Sequence, residues 1–207
     1  MKSTSIAALA LLACAAGQAL AQSEPTISIG SDTVSQGSVA TVDLSISGLG
    51  SGTQLGAYDL NVAFNSGILS LASATFGDPA LGDQLNLEGF GTFASATPGS
   101  GTVDLAELSF DAPAALLSSQ ASAFTLVQLT FDSLGTGVSA LDLSINAVAD
   151  QNGNSLTPVL SNGSITVTGA TAAAPEMDAS SALAALMLLA GALAVMQSRR
   201  AQGRAPA

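Results

Sequence analysis

The chain is predicted to fold as an all-β protein, an antiparallel β-sandwich or jelly roll, on three observations. Apolar and polar residues alternate over several short runs, the period of a strand with one buried face. Glycine-rich breakers separate the runs: GLGSG at 48–52, NSG at 65–67, TPGSG at 97–101, GTG at 135–137 and NGN at 152–154. No long amphipathic helix intervenes, so nothing supplies the crossovers of a parallel sheet.

Reading from the front, residues 1–21 form a secretory signal. Lys2 precedes an apolar stretch from Ile6 to Ala16, and Ala19-Leu20-Ala21 is a small-x-small cleavage site, with Gln22 as the new N-terminus. The alternative at this end is lipidation of Cys14, because LLAC loosely resembles a lipobox; Leu12 and the Ala-Ala-Gly after the cysteine fit that motif poorly. Cleavage after Ala21 removes Cys14, the single cysteine, and leaves a body that can make no disulfide.

Residues 22–169 have the length of one domain. Val42, Leu44 and Ile46 alternate with Thr41, Asp43 and Ser45. Tyr58, Leu60, Val62 and Phe64 form a second apolar stripe, Leu141, Leu143 and Ile145 a third, and Ile165 with Val167 closes the set. Two runs change phase. Val103 and Leu105 give way to Leu108 and Phe110, and Phe124 and Leu126 to Val127, Leu129 and Phe131. A bulge or a crossing between sheets is expected at each change. The stretch 112–120, APAALLSSQ, suits one short helical turn, and the count comes to eight or nine strands.

Charge excludes whole classes of partner. Fifteen acidic residues face four basic ones, and Lys2, Arg199, Arg200 and Arg204 all lie near the ends, so Ser3 to Ser198 contains no Lys, Arg or His. Nucleic-acid binding needs cations that displace the phosphate counterions, and this body has none. Adsorption to an anionic lipid surface is disfavoured for the same reason.

Catalysis finds little to work with. A nucleophilic triad lacks its base, Schiff-base chemistry lacks a body lysine, and thiol chemistry leaves with Cys14. Paired carboxylates remain, but a glycan cleft also wants aromatic platforms, and Tyr58 and most of the seven Phe fall at core-facing positions. The chain is therefore read as not an enzyme. One metal reading survives: Asp150, Asn152 and Asn154 set oxygen donors at alternating positions around Gly153, as calcium loops do, although Ser161 stands where an EF-hand needs Glu. The competing reading is a plain Asn-Gly turn. Calcium is the one cofactor to consider. A second acidic pair, Asp78 and Asp83 in FGDPALGD, reads as solvated loop carboxylates.

The succession VSQGSVATVDLSISGL, LGAYDLNVAFNSGILSLASATFGD, FTLVQLTF and SALDLSINAVADQNGN resembles the cohesin-type jelly roll, related in fold to carbohydrate-binding modules, across most of Ile27 to Val167. The resemblance implies a non-catalytic binding module; cohesins bind dockerin domains through one sheet face.

Behind the body, the small residues of 170–178 read as an extended linker ending in Pro175-Glu176 and Met177-Asp178. Residues 179–198 are apolar and near the lower length limit of a membrane span, and 199–207 form a basic tail. A core helix apolar all round is hard to pack in a strand-rich domain. A permanent anchor would keep Arg199 and Arg200 on the cytoplasmic side. Pro-Glu, spacer, spanning helix and Arg cluster together resemble the PEP-CTERM sorting signal of exopolysaccharide-producing Gram-negative bacteria, with Met177 where that family usually has a second Pro. The resemblance implies recognition by an exosortase, cleavage near Pro175-Glu176, and a body delivered to the cell surface after brief anchoring in the inner membrane. Signal peptidase, acting at Ala19 to Ala21, and the exosortase are then the processing partners. The function expected is structural or adhesive, in an exopolysaccharide matrix. The alternatives are a module specific for a dockerin-like surface protein or a glycan, and a tail-anchored surface protein left unprocessed.

Overall fold

The computed structural model describes residues 24–169 and 186–196. The chain divides into two units at Gly169. The first contains eleven strands and one short helix among its described residues.

These strands make two sheets. The five-stranded sheet runs β10 (Val159–Ser161), β1 (Thr26–Ile29), β3 (Val39–Ser47), β8 (Phe124–Ser133), β5 (Leu69–Phe76). The six-stranded sheet runs β2 (Asp32–Ser35), β11 (Gly163–Thr168), β9 (Gly137–Asp150), β4 (Leu55–Ala63), β7 (Thr102–Ser109), β6 (Thr92–Pro98). Helix α1, Pro113–Ser119, begins with proline at its first turn, where the missing N–H has no helical partner to lose, and buries Leu116. The sandwich is as expected, with two departures. There are eleven described strands rather than eight or nine: the alternating runs correspond to β3, β4, β7, β8, β9 and β11, whereas β1, β2 and β10 are short and β5 and β6 carry no regular apolar stripe. The sheets are also not wholly antiparallel: β1 pairs parallel with β10, and β2 parallel with β11.

Those parallel pairs share a cause. Between β1 and β2 the chain passes from one sheet to the other at Gly30-Ser31, and between β10 and β11 it does so at Asn162, so two bent segments run side by side through both sheets. Where they cross, a Cβ on Gly163 would lie 2.0 Å from the carbonyl oxygen of Gly30. Only glycine permits that approach.

Between the sheets lies one apolar core. The alternating residues Val42, Leu44 and Ile46, Leu60 and Val62, Leu141 and Leu143, and Ile165 and Val167 all face it, as their period requires. Phe64 and Phe131 meet edge to face at 5.2 Å between ring centres. Each large side chain buried here contributes about 1.5–3 kcal/mol relative to exposure.

The two phase changes resolve differently. In β8 the ladder with β3 passes from Val127 opposite Leu44 to Thr125 opposite Ser45, so Leu126 is the extra residue of a bulge, and Phe124 to Val127 are all buried. In β7 no bulge forms: its ladders with β4 and β6 run without a break from Thr102 to Ser109. The core-facing series is Val103, Leu105, Glu107, and Leu108 and Phe110 point outward and are exposed. An acidic residue holds an inner position, which apolar periodicity by itself cannot register.

In the second unit, residues 186–196 are helical, with Leu186, Met187, Leu188 and Leu189 exposed. Among the described residues no helix is long and apolar enough to cross a membrane. The rest of the span expected at 179–198 lies outside the described residues, as do Cys14, Ala19, Ala21, Pro175, Glu176, Arg199 and Arg200.

Candidate functional site

The unbroken register of β7 builds the site. On the outer face of the six-stranded sheet, Phe93, Leu108, Ala57 and Ala149 stand opposite one another on β6, β7, β4 and β9. The next rank is Ser95, Ala106, Asp59 and Ala147. Alanines make the floor low, while Phe93 and Leu108 stand up from it at 59% and 46% exposure. The result is a shallow apolar depression of about 200 Å³. A neighbouring depression of about 190 Å³ shares Ala57, Leu108 and Ala149 and reaches Asp111 and Asp150.

Phe90 and Phe110 are also exposed, so the three exposed phenylalanines, 90, 93 and 110, all belong to β6, β7 or the residues beside them. The other four pack in or against the core, as expected of most of them: Phe124 and Phe131 are buried, and Phe64 and Phe76 half-buried against it. Tyr58 faces the core at 2% exposure. Below the apolar row, Asn146 donates from Nδ2 to Asp59 Oδ1 at 2.8 Å and to Asp104 Oδ2 at 3.1 Å. That amide bridges two carboxylates with no cation nearby. Burial, and then Asp59, raises the Asp104 pKa above the ordinary carboxylate value.

Underneath this face is a buried acid. Tyr58 and Glu107 are cross-strand partners, and the Tyr58 hydroxyl donates to Glu107 Oε2 at 2.8 Å. Glu107 is 2% exposed, and its Oε1 has no hydrogen-bond partner. Burial, and then the nearby charge of Asp83, pushes the Glu107 pKa up to about 7. Burial and Glu107 together raise that of Tyr58.

Residues 77–91 link β5 to β6 and close one end of the sandwich through side-chain anchors. Asp78 Oδ1 accepts from the N–H groups of Ala80 and Leu81, and Oδ2 from that of Thr125. These bonds, led by the one from Thr125, lower its pKa. Asp83 accepts from Leu85 N–H. The buried Gln120 amide pairs with both backbone groups of Leu55 and donates to the Gln84 carbonyl. Asp111 accepts from Leu87 and Glu88 N–H, while its Oδ1 stays unpartnered. Asp78 and Asp83 are thus structural acceptors rather than idle solvated carboxylates.

Asp150, Asn152 and Asn154 come together at the end of β9. Asp150 Oδ1 accepts from the N–H groups of Asn152 and Asn154, and Oδ2 from the Asn154 amide, each within 2.9 Å. Partial burial works against the charge, but these bonds outweigh it and lower the Asp150 pKa. Gly153 takes φ +81°, the left-handed conformation that glycine tolerates. Among the described residues no group of three or more His, Cys, Asp or Glu side chains is placed to hold a metal ion.

The two-sheet fold is similar to that of cohesin domains of known structure. The solved structures it matches include the non-cellulosomal cohesin of the hyperthermophilic archaeon Archaeoglobus fulgidus, 18% identical over 70% of this chain and 91% of that one, with a TM-score of 0.54. CaCohA2 of Clostridium acetobutylicum is 21% identical over 72% and 93%, at 0.56. A chain of the type I cohesin–dockerin complex Coh-OlpA–Doc918 of Clostridium thermocellum is 15% identical over 70% and 99%, at 0.57. No family profile matches the chain, and no curated protein does.

Proposed function

We propose that this chain is a non-catalytic protein-binding module that recognises its partner through the outer face of β9, β4, β7 and β6. The observation that carries the reading is the row of Phe93 and Leu108 over an alanine floor, an apolar surface made by residues that strand alternation turns away from the core. Exposed apolar area with a polar rim is how a soluble domain presents a docking surface. Two large side chains beside a shallow depression suit a helical or loop anchor from the partner. Among the fold's relatives, the Clostridium thermocellum structure is a cohesin–dockerin complex, so a dockerin-like domain is the partner class this reading favours.

Delivery to the cell surface belongs to the same proposal and is supported by sequence: the signal at residues 1–21, then Pro175-Glu176, the apolar stretch and Arg199-Arg200. A module exported in this way meets partners outside the cell, and its negative charge keeps it soluble there. Asp150 and Asn154 remain the residues to test for calcium, with the hydrogen-bonded turn as the competing account.

The test is titration of the immobilised chain with recombinant dockerin domains and, in parallel, with soluble polysaccharide from the producing cells. Saturable binding of a protein ligand that is lost in Leu108→Ala and Phe93→Ala is the expected result. Binding unaffected by both substitutions, or binding of polysaccharide alone, would remove the assignment.

A further inference from the structure

The six-stranded sheet stops at β6, and that edge is unusually open. Thr92–Pro98 pairs with β7 along its whole length with no register shift. Apart from that ladder, no backbone group of these seven residues is hydrogen-bonded among the described residues. Edge strands are ordinarily blunted by shortness, a bulge, a charge or a proline, because a free row of N–H and C=O groups is a template for another strand. The other three edges carry such devices. β2 and β10 have four and three residues, and β5 has a register shift between Leu71 and Ser73. β6 has only Pro98, at its last position.

Charge selects the occupant. From Gly89 to Val103 the chain carries no charged side chain, within a protein of formal charge −11. At β6 two copies of this acidic chain meet through a neutral strip; β5 and β10 are neutral as well, but the one is interrupted by its register shift and the other is three residues long. The geometry points to β6 as a self-association edge: two copies of this chain pair antiparallel through Thr92–Pro98 about a two-fold axis at Ser95. Such a contact is isologous and closes on itself. With Ser95 opposite Ser95, Phe93 faces Thr97 and Ala94 faces Ala96, so every pair keeps outward side chains with outward and inward with inward. Phe93 across from Thr97 is a favourable aromatic and β-branched pair, and the alanines present no bulk. The only ladder bond denied is at Pro98, which has no N–H. The two six-stranded sheets become one of twelve strands, in which the apolar rows of both copies lie on the same face. This inference does not rest on the partner-binding reading: it is argued from the backbone edge of β6, and Phe93 is the one side chain that the two share.

The experiment is cysteine cross-linking in the full-length chain in mild detergent, with Cys14→Ser as background. Residues opposite each other in a ladder are within disulfide reach. Under mild oxidation Ser95→Cys should give a covalent dimer, and an equimolar mixture of Phe93→Cys and Thr97→Cys should cross-link to each other far more than either does alone. Ser70→Cys, on the bulged edge β5, should stay monomeric. A further variant, Ser95→Lys, sets a charge opposite itself and should weaken the dimer roughly tenfold or more in sedimentation while leaving the melting temperature unchanged. No cross-link at position 95, equal cross-linking from Ser70→Cys, or a dimer that survives Ser95→Lys would each overturn the pairing. A chain that stays monomeric yet takes up a strand from another protein would overturn it as well.

Discussion

Glu107 holds a proton because of where β7 places it. Its ordinary carboxyl value of 4.5 rises to about 7 in the folded state, through burial and then Asp83. The unfolded chain releases that proton above the lower value and the folded chain above the higher one. Stability from this group is therefore full below about pH 4.5, falls as the pH rises toward 7, and is flat above. Glu107→Gln, which keeps the shape and can still accept from Tyr58, should flatten the decline and raise the melting temperature at pH 8 relative to the parent. An unchanged slope in melts at pH 5, 6, 7 and 8 would exclude Glu107 as its source. Asp78 works in the opposite sense: its pKa is lowered by backbone donors, so its contribution is present at neutral pH and is lost as acid titrates it. Gly163 is the other residue on which the fold leans. Gly163→Ala puts a methyl 2.0 Å from the Gly30 carbonyl oxygen, so the crossing segments must separate, at about 1–3 kcal/mol or more. Calorimetry should find a large fall in melting temperature, whereas Gly153→Ala, with open space around its Cβ position, should cost only the strain of its positive φ.

Among the elements, β7 shows how alternation can be read correctly and still misplace residues. The string VDLAELSF offers two apolar pairs out of phase. A core that accepts only apolar side chains forces a bulge between them; a core that accepts Glu107, capped by Tyr58, does not. The surface made by Phe93 and Leu108 follows from that single accommodation. Because both are exposed, Leu108→Ala and Phe93→Ala should each change stability by no more than about 0.5 kcal/mol. Partner binding should still fall, and by about tenfold or more if these are the anchors. The β8 phase change, by contrast, was legible as a bulge or a crossing between sheets, and the ladder with β3 makes it a bulge at Leu126. For the long loop 77–91 the sequence marked Asp78 and Asp83 as loop carboxylates but not the loop's bounds or its anchors. Its hydrogen bonds go to Thr125, Gln120 and Asp111, tens of residues away in the chain.

For the whole molecule the governing quantity is charge without internal compensation. All fifteen carboxylates lie between Ser3 and Ser198 and all four basic residues outside it, so mutual repulsion is the dominant long-range term. Added salt should screen it and raise the melting temperature at pH 8; a fall would mean that attractive charge pairs outweigh the repulsion. Delivery is tested at the same scale. Intact mass and terminal sequencing of the protein from producing cells should find a body that starts at Gln22 and ends near Pro175. A body that retains residues 182–200 would indicate an unprocessed tail.

The sequence alone was enough to establish a sandwich of short strands, the inward residues of its regularly alternating runs, and a stretch from Ser3 to Ser198 without Lys, Arg or His. Those are properties of local periodicity and composition, which need no knowledge of what lies across the core. The parallel pairing of the bent outer segments, the inward place of Glu107 and the outward turn of Phe93 and Leu108 depend on cross-strand neighbours far away in the chain. They were decided only when the two sheets met, because burial and register are relations between strands and belong to no strand alone.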